Sequence, residues 1–185
     1  MKLTKQFFAA AIASFLFVGA QAQKENTKMV GGAAMYPSKN IVENAVNSAD
    51  HTTLVAAVKA AGLVETLQGA GPFTVFAPNN AAFGMLPAGT VETLLKPENK
   101  ATLTAVLTYH VVAGKYDAKS ILGLIKKGNG KAVLTTVQGG TLTATTDGKT
   151  VMLTDEKGGM SHVTIADVFQ SNGVIHVVDH VVLPK

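Results

Sequence analysis

The chain of 185 residues contains no cysteine, no tryptophan and no arginine. Without cysteine there can be no disulfide, no thiol nucleophile and no zinc-thiolate site, so the core alone must hold the fold. The missing arginine bears on the positive balance, a formal charge of +4 with an isoelectric point of 9.3. All 16 basic residues are Lys, whereas the planar fork that grips phosphates and guanine edges belongs to Arg. Nucleic acid is therefore a poor candidate partner. Charged residues make up only 15% of the chain, and neither a triplet glycine repeat nor a long polar tract occurs, which excludes collagen-like and low-complexity classes. A hydrophobic content of 47% suits one packed domain of this size.

Much of the basic character sits at the start. Lys2 and Lys5 precede an apolar run from Phe7 to Ala20, and Ala20-Gln21-Ala22 supplies a small-x-small pattern. This is the arrangement of a secretory signal peptide cleaved after Ala22, with an apolar stretch short for a membrane span. Residues 23–185 keep 14 lysines against all 12 acids, a balance of +2. With no Cys near the cleavage point a bacterial lipid anchor is excluded, and no second long apolar run offers a membrane span. The expected organisation is a signal peptide over 1–22, a flexible polar and Gly-rich lead-in over 23–37, and one domain over 38–185, secreted or periplasmic in a bacterium.

Ser38 is a candidate helix cap before Ile41, Val42, Ala45 and Val46, which share a helical face. Asp50, Thr52 and Thr53 are candidate caps for a second helix carrying Leu54, Val55, Val58 and Ala61, closed by Gly62. Phe73–Pro78 alternates as a strand, and Asn79-Asn80 can cap a short helix after it. Helical spacing runs from Thr90 to Leu107 with a break at Pro97, and again from Ala118 to Lys127 with Ile121 and Ile125 inward. The last third is rich in Thr and Val: AVLTTV, TLTATT, TVMLT, HVTIADVF and VIHVVDHVVL read as successive strands, with hairpin turns at Asp147-Gly148 and Asn172-Gly173. Helices followed by antiparallel strands predict an α+β fold.

Catalytic templates do not fit. Gly159-Met160-Ser161-His162-Val163 lacks the final Gly of a nucleophile elbow, and Gly148-Lys149-Thr150 lacks both the first Gly and the strand-loop-helix frame of a phosphate loop. His176 and His180 would converge on one metal ion if helical, but on a strand they lie about 13 Å apart and read as two separate surface or edge histidines. On that strand Asp179 faces the other way and can orient neither. Tyr109-His110 reads as a helix-to-strand junction with a His held by backbone hydrogen bonds. No cofactor and no metal site are expected.

Three strings together carry a resemblance. Thr74-Val75-Phe76-Ala77-Pro78-Asn79-Asn80-Ala81-Ala82-Phe83 resembles the first signature block of the fasciclin domain family. Asn172-Gly173-Val174-Ile175-His176-Val177-Val178-Asp179 with Leu183-Pro184 resembles the second, and Tyr109-His110 is similar to the motif between them. Asn79 stands where the family often has Thr or Ser, and either can cap the following helix. The resemblance covers residues 38–185. It implies a wedge-shaped β-sandwich with helices packed around one edge, and a non-enzymatic, extracellular role in adhesion. Its partners would be an extracellular polysaccharide or a cell-surface or matrix protein. It also carries binding roles onto Tyr109, His110, Asp167 and Val168, where Val168 replaces the Ile of the animal adhesion pair. Phe76, Phe83, Ile175 and Val177 read as packing residues. An envelope-associated hydrolase using His110 or His162 as base, or a small-molecule carrier, is the alternative.

Overall fold

A computed structural model describes residues 26–185; the expected signal peptide lies outside the described residues. The chain opens with a two-stranded antiparallel hairpin, β1 (Lys28–Val30) and β2 (Ala33–Met35). This corrects the expectation of a flexible lead-in up to residue 37: Val30 and Met35 are buried in the core, so apolar burial fixes a segment whose composition reads as a linker.

Helices follow: α1 (Ile41–Ala45), a 3-10 turn (Ala49–His51), α2 (Thr52–Ala61) and α3 (Val64–Gln68). The cap of α1 is Asn40, not Ser38. Its side chain accepts from the Glu43 amide at 2.9 Å while Glu43 accepts from the Asn40 amide at 2.8 Å, a reciprocal capping box. α2 carries no cap from its own neighbours; Asn80, 27 residues on, accepts from the Thr53 amide at 3.0 Å instead. Gly62 closes α2 in the left-handed region at φ 73°, where a side chain would be strained. β3 (Phe73–Pro78) leads to α4 (Asn80–Gly84), capped by Asn79. α5 (Thr90–Leu94) and α6 (Lys100–Tyr109) flank the Pro97 break, and β4 (Val111–Ala113) leads to α7 (Ala118–Lys127). Asp117 caps α7 through the Ser120 amide at 2.7 Å, and Lys126 and Lys127 end it, matching the helix dipole at both termini.

The remaining strands are β5 (Lys131–Thr135), β6 (Thr141–Thr146), β7 (Val151–Thr154), β8 (Met160–Gln170) and β9 (Gly173–Val178). They join β3 and β4 in one seven-stranded sheet of order β4-β3-β9-β8-β7-β6-β5, in which β3 and β9 run parallel and the other pairs antiparallel. The Val112–Thr136 bridge and a 2.7 Å bond from the Val137 amide to the Val111 carbonyl bring the ends of the sheet together, folding it into a near-closed wedge. Two cores result. One, with Leu54, Val58, Leu67, Leu103 and Leu107, fills the space between helices and the β3–β9 face, where Val75, Ile175 and Val177 point. The other, with Phe76, Tyr109, Ile121, Leu142, Leu153 and Val178, fills the wedge. All six residues of β9 are buried, because this central strand has a packed layer on each side.

The last strand is shorter than expected. It stops at Val178, and residues 179–183 leave the sheet. The alternation that would turn Asp179 away from His180 ends with it.

Candidate functional site

The first signature block is a set of internal braces. The Thr74 hydroxyl, fully buried, donates to the Gly114 carbonyl at 2.7 Å and accepts from the Tyr116 amide at 2.9 Å, tying β3 to the loop before α7. Phe76, Ala77, Pro78 and Phe83 are buried. Asn79 accepts from the Ala82 amide at 2.8 Å, and Asn80 caps α2 while its own amide donates to the Ala49 carbonyl at 2.8 Å.

The second block behaves alike. Asn172 accepts from the Ile41 amide at 3.1 Å and donates to the Leu67 and Gly69 carbonyls at 2.8 and 2.9 Å, so one side chain in the β8–β9 turn holds both α1 and α3. Gly173 lies so near β3 that a Cβ there would stand 2.1 Å from the Phe73 carbonyl oxygen. Ile175 and Val177 pack in the helical core. His176 is not a surface or edge histidine, as the strand reading expected, but is buried. Its ring stacks on Phe76 with centroids 5.6 Å apart, Nε2 lies 2.8 Å from the Tyr116 carbonyl, and Nδ1 accepts from the Asp167 amide at 3.3 Å. Burial lowers its pKa, with Tyr116 and the acids Asp167 and Asp117 offsetting part of the effect.

The positions given a binding role divide. Tyr109 is fully buried; its hydroxyl donates to the Thr141 carbonyl at 2.6 Å and accepts from the Glu156 amide at 3.2 Å, joining α6 to the β6 and β7 ends. His110 is buried between the Val106 carbonyl, 2.8 Å from Nδ1, and the Val182 amide, which donates to Nε2 at 3.2 Å. This is the backbone-held junction read from the sequence, and burial pushes its pKa down to about 4. Both side chains are buried, and each is tied to the backbone of distant segments. Val168 is buried as well. Asp167 alone is half-exposed. It sits in the left-handed region at φ 56°, where register shifts bend β8, and its carboxylate accepts from the Ala118 amide at 2.7 Å at the start of α7. Two residues further along β8, Lys115 lies over the Phe169 ring, 5.1 Å from the centroid.

Beyond the end of β9, Asp179 meets His180, from which the strand reading separated it, and also His162 on β8. Its carboxylate lies 2.8 Å from His180 Nδ1 and 3.4 Å from His162 Nδ1, and it accepts from the His162 amide at 2.7 Å. Burial works to raise the Asp179 carboxyl, but the hydrogen bonds from His180 and His162 outweigh it and lower the pKa. Ser161 is buried and is bonded to the backbone of His180, donating to its carbonyl at 2.9 Å and accepting from its amide at 3.1 Å. No imidazole stands against that hydroxyl as a base would in a triad. Among the described residues no group of three or more His, Asp or Glu is placed to hold a metal ion.

The sequence reading passed over His51. It precedes Leu54 and Val58 by three and seven residues, so the helical period places an imidazole on the apolar stripe of α2. That spacing was the available signal. His51 is buried with Nδ1 2.9 Å from the Ser48 hydroxyl, and its Nε2 is a buried polar atom with no hydrogen-bond partner.

Fold and site together define an α+β domain in which signature polar groups serve as internal braces. The chain belongs to the fasciclin domain family, whose model matches residues 49–184. It is similar to protein sll1483 of Synechocystis sp., 48% identical over 161 residues that cover 86% of this chain and 82% of that protein. It is also similar to immunogenic protein MPT70 of Mycobacterium tuberculosis, 36% identical over 76% of this chain and 66% of the relative. Its fold matches the structure of a FAS1 domain pair from the insect cell adhesion molecule fasciclin I, with a TM-score of 0.71 and 16% identity over 80% of this chain. The chain spans about half of that pair, 52% of its length.

Proposed function

We propose that this protein is an exported, non-enzymatic adhesion module that binds an extracellular polysaccharide or a cell-surface or matrix protein. Export is supported by the charged and apolar pattern of residues 1–22, and adhesion by membership of the fasciclin family and by the fold shared with an insect cell adhesion molecule. Among the described residues no helix is long and apolar enough to cross a membrane.

The observation that carries a site is the separation among the four motif positions: Tyr109, His110 and Val168 are inside, and Asp167 reaches the surface. We place the contact surface there, extended by Phe169, two residues on in β8, with Lys115 over its ring. An aromatic face beside one charge of each sign suits a polyhydroxylated or mixed-charge polymer, through apolar contact and charge-assisted hydrogen bonds. A single site of this kind binds weakly, so function rests on a repeating surface that many copies engage together.

The test is binding of the immobilised protein to polysaccharides, envelope extracts and matrix proteins, with a heat-unfolded control and two salt concentrations. Saturable, salt-resistant binding to one polymer class that the unfolded control lacks is expected; a blank panel would refute the reading. Mass spectrometry of the exported protein tests the leader, with Gln23 expected at the new N-terminus.

A further inference from the structure

The outer face of the β7–β8 hairpin carries two methionines and a histidine side by side. Val151, Leu153, Ser161 and Val163 turn inward and are buried, so the alternate residues Met152, Met160 and His162 point to solvent. Met160 is 60% exposed, and Met152 and His162 are partly so. Met152 stands directly across from His162 in the ladder, and Met160 lies two residues before His162 on β8. Both backbone groups of His162 turn to Asp179, its amide donating to the carboxylate at 2.7 Å and its carbonyl accepting from the Asp179 amide at 3.2 Å. Met152 and His162 are therefore a non-hydrogen-bonded pair, the kind whose facing Cα atoms approach to about 4.5 Å. Met160 is about 7 Å from His162 along the strand and about as far from Met152 on the diagonal. A methionine side chain turns about three bonds, so both sulfurs can swing to a point above the imidazole.

The imidazole is set to act as a ligand. Its Nδ1 faces the Asp179 carboxylate at 3.4 Å, which favours the ring proton on Nδ1 and leaves Nε2 with its lone pair. We propose that Met152, Met160 and His162 form a binding site for copper(I), with two thioether sulfurs and Nε2 as the donor set and Asp179 positioning the ring. Among the described residues no group built from His, Asp and Glu alone is placed to hold a metal ion. Methionine changes the chemistry, because thioether sulfur selects a soft ion such as copper(I) over zinc, calcium or magnesium. Three neutral donors leave the single charge of the ion uncancelled, and the Asp179 carboxylate behind His162 balances it. The site does not involve Asp167 and is independent of the adhesive reading.

The experiment is an anaerobic titration of the intact protein with copper(I), followed through the methionine methyl resonances by NMR and by competition with a chromogenic copper(I) chelator. Saturable one-to-one binding is expected, with the Met152 and Met160 methyls moving while those of Met29 and Met85 stay in place. Those two are as open as Met160, at 63% and 61%, but stand on β1 and just after α4, so they report non-specific thioether binding. Met160→Leu and His162→Gln should each weaken binding at least about tenfold. Asp179→Asn should weaken it about tenfold and deplete the Nδ1-protonated tautomer of His162 in ring nitrogen spectra. Zinc(II) in place of copper(I) should leave the methyls unmoved. Absence of saturable binding would overturn the proposal. So would equal shifts at all the exposed methionines, or undiminished affinity in Met160→Leu. The comparison of methyls needs no variant, so it stands whether or not a substituted protein folds.

Discussion

Acid should weaken this fold well above the range where carboxylates titrate, because His110 cannot accept a second proton in place. The Val106 carbonyl can only accept and the Val182 amide can only donate. The ring is therefore the neutral tautomer protonated at Nδ1, and a proton on Nε2 would face an N–H. Burial holds its pKa at about 4 in the folded protein, against 6.5 for the free side chain. Between those values the unfolded chain binds a proton that the folded chain does not, so stability falls as the pH falls. The contribution is complete above pH 6.5, declines at up to about 1.4 kcal/mol per pH unit, and has lost about 3 kcal/mol near pH 4. Burial also lowers the pKa of His51 and His176, which adds to the same trend. Asp179 acts elsewhere: its carboxyl is lowered from 3.8, so its contribution is present above that value and is lost only at more acid pH. Urea unfolding at pH 7, 6, 5 and 4.5 measures the decline, and His110→Gln should be less stable at pH 7 but show a shallower slope. Constant stability from pH 7 to 4.5, or a His110 ring titrating near 6.5 in the folded protein, would refute the reasoning.

Other substitutions probe the braces. Asn172→Ala removes three hydrogen bonds to backbone groups of α1 and the α3 end, and should cost about 2–4 kcal/mol in urea unfolding. Gly173→Ala forces a Cβ against the Phe73 carbonyl, which cannot move without opening the β3–β9 pair, so a loss of at least about 3 kcal/mol or failure to fold is expected in the same assay. Asn80→Ala strips the cap of α2 and should cost about 1 kcal/mol, with faster hydrogen exchange at Thr53. Tyr109→Phe should cost about 1–2 kcal/mol by leaving the Thr141 carbonyl and Glu156 amide unmatched, while polymer binding by the folded protein is unchanged.

Local chemistry made much of this readable in advance. Ala118–Lys127 carries its apolar face at Ile121 and Ile125 and its cations at the end that favours them, and Phe73–Pro78 is bounded by breakers, so both elements lie where the sequence puts them. The Asp147-Gly148 turn joins β6 and β7 as expected. What escaped depends on distant partners. The α2 cap comes from Asn80, a residue whose neighbourhood suggests only a local role. The β1–β2 hairpin is fixed by burying Val30 and Met35, which a Gly-rich composition conceals. The meeting of Asp179 with His162 and His180 depends on where β9 stops, and a β-branched run does not mark its own end. Motif matching found the right strings, but burial decides which of their residues a partner can reach, and burial is a property of the assembled fold.

The most direct test of the adhesive account compares Asp167→Asn with the unsubstituted protein and Tyr109→Phe on whichever polymer the panel identifies. Asn keeps the oxygen that accepts from the Ala118 amide and tolerates the left-handed backbone, so the fold survives while the charge is lost. The account predicts binding weakened at least about tenfold in Asp167→Asn and unchanged in Tyr109→Phe. Undiminished binding in Asp167→Asn, or its loss in a folded Tyr109→Phe, would contradict it.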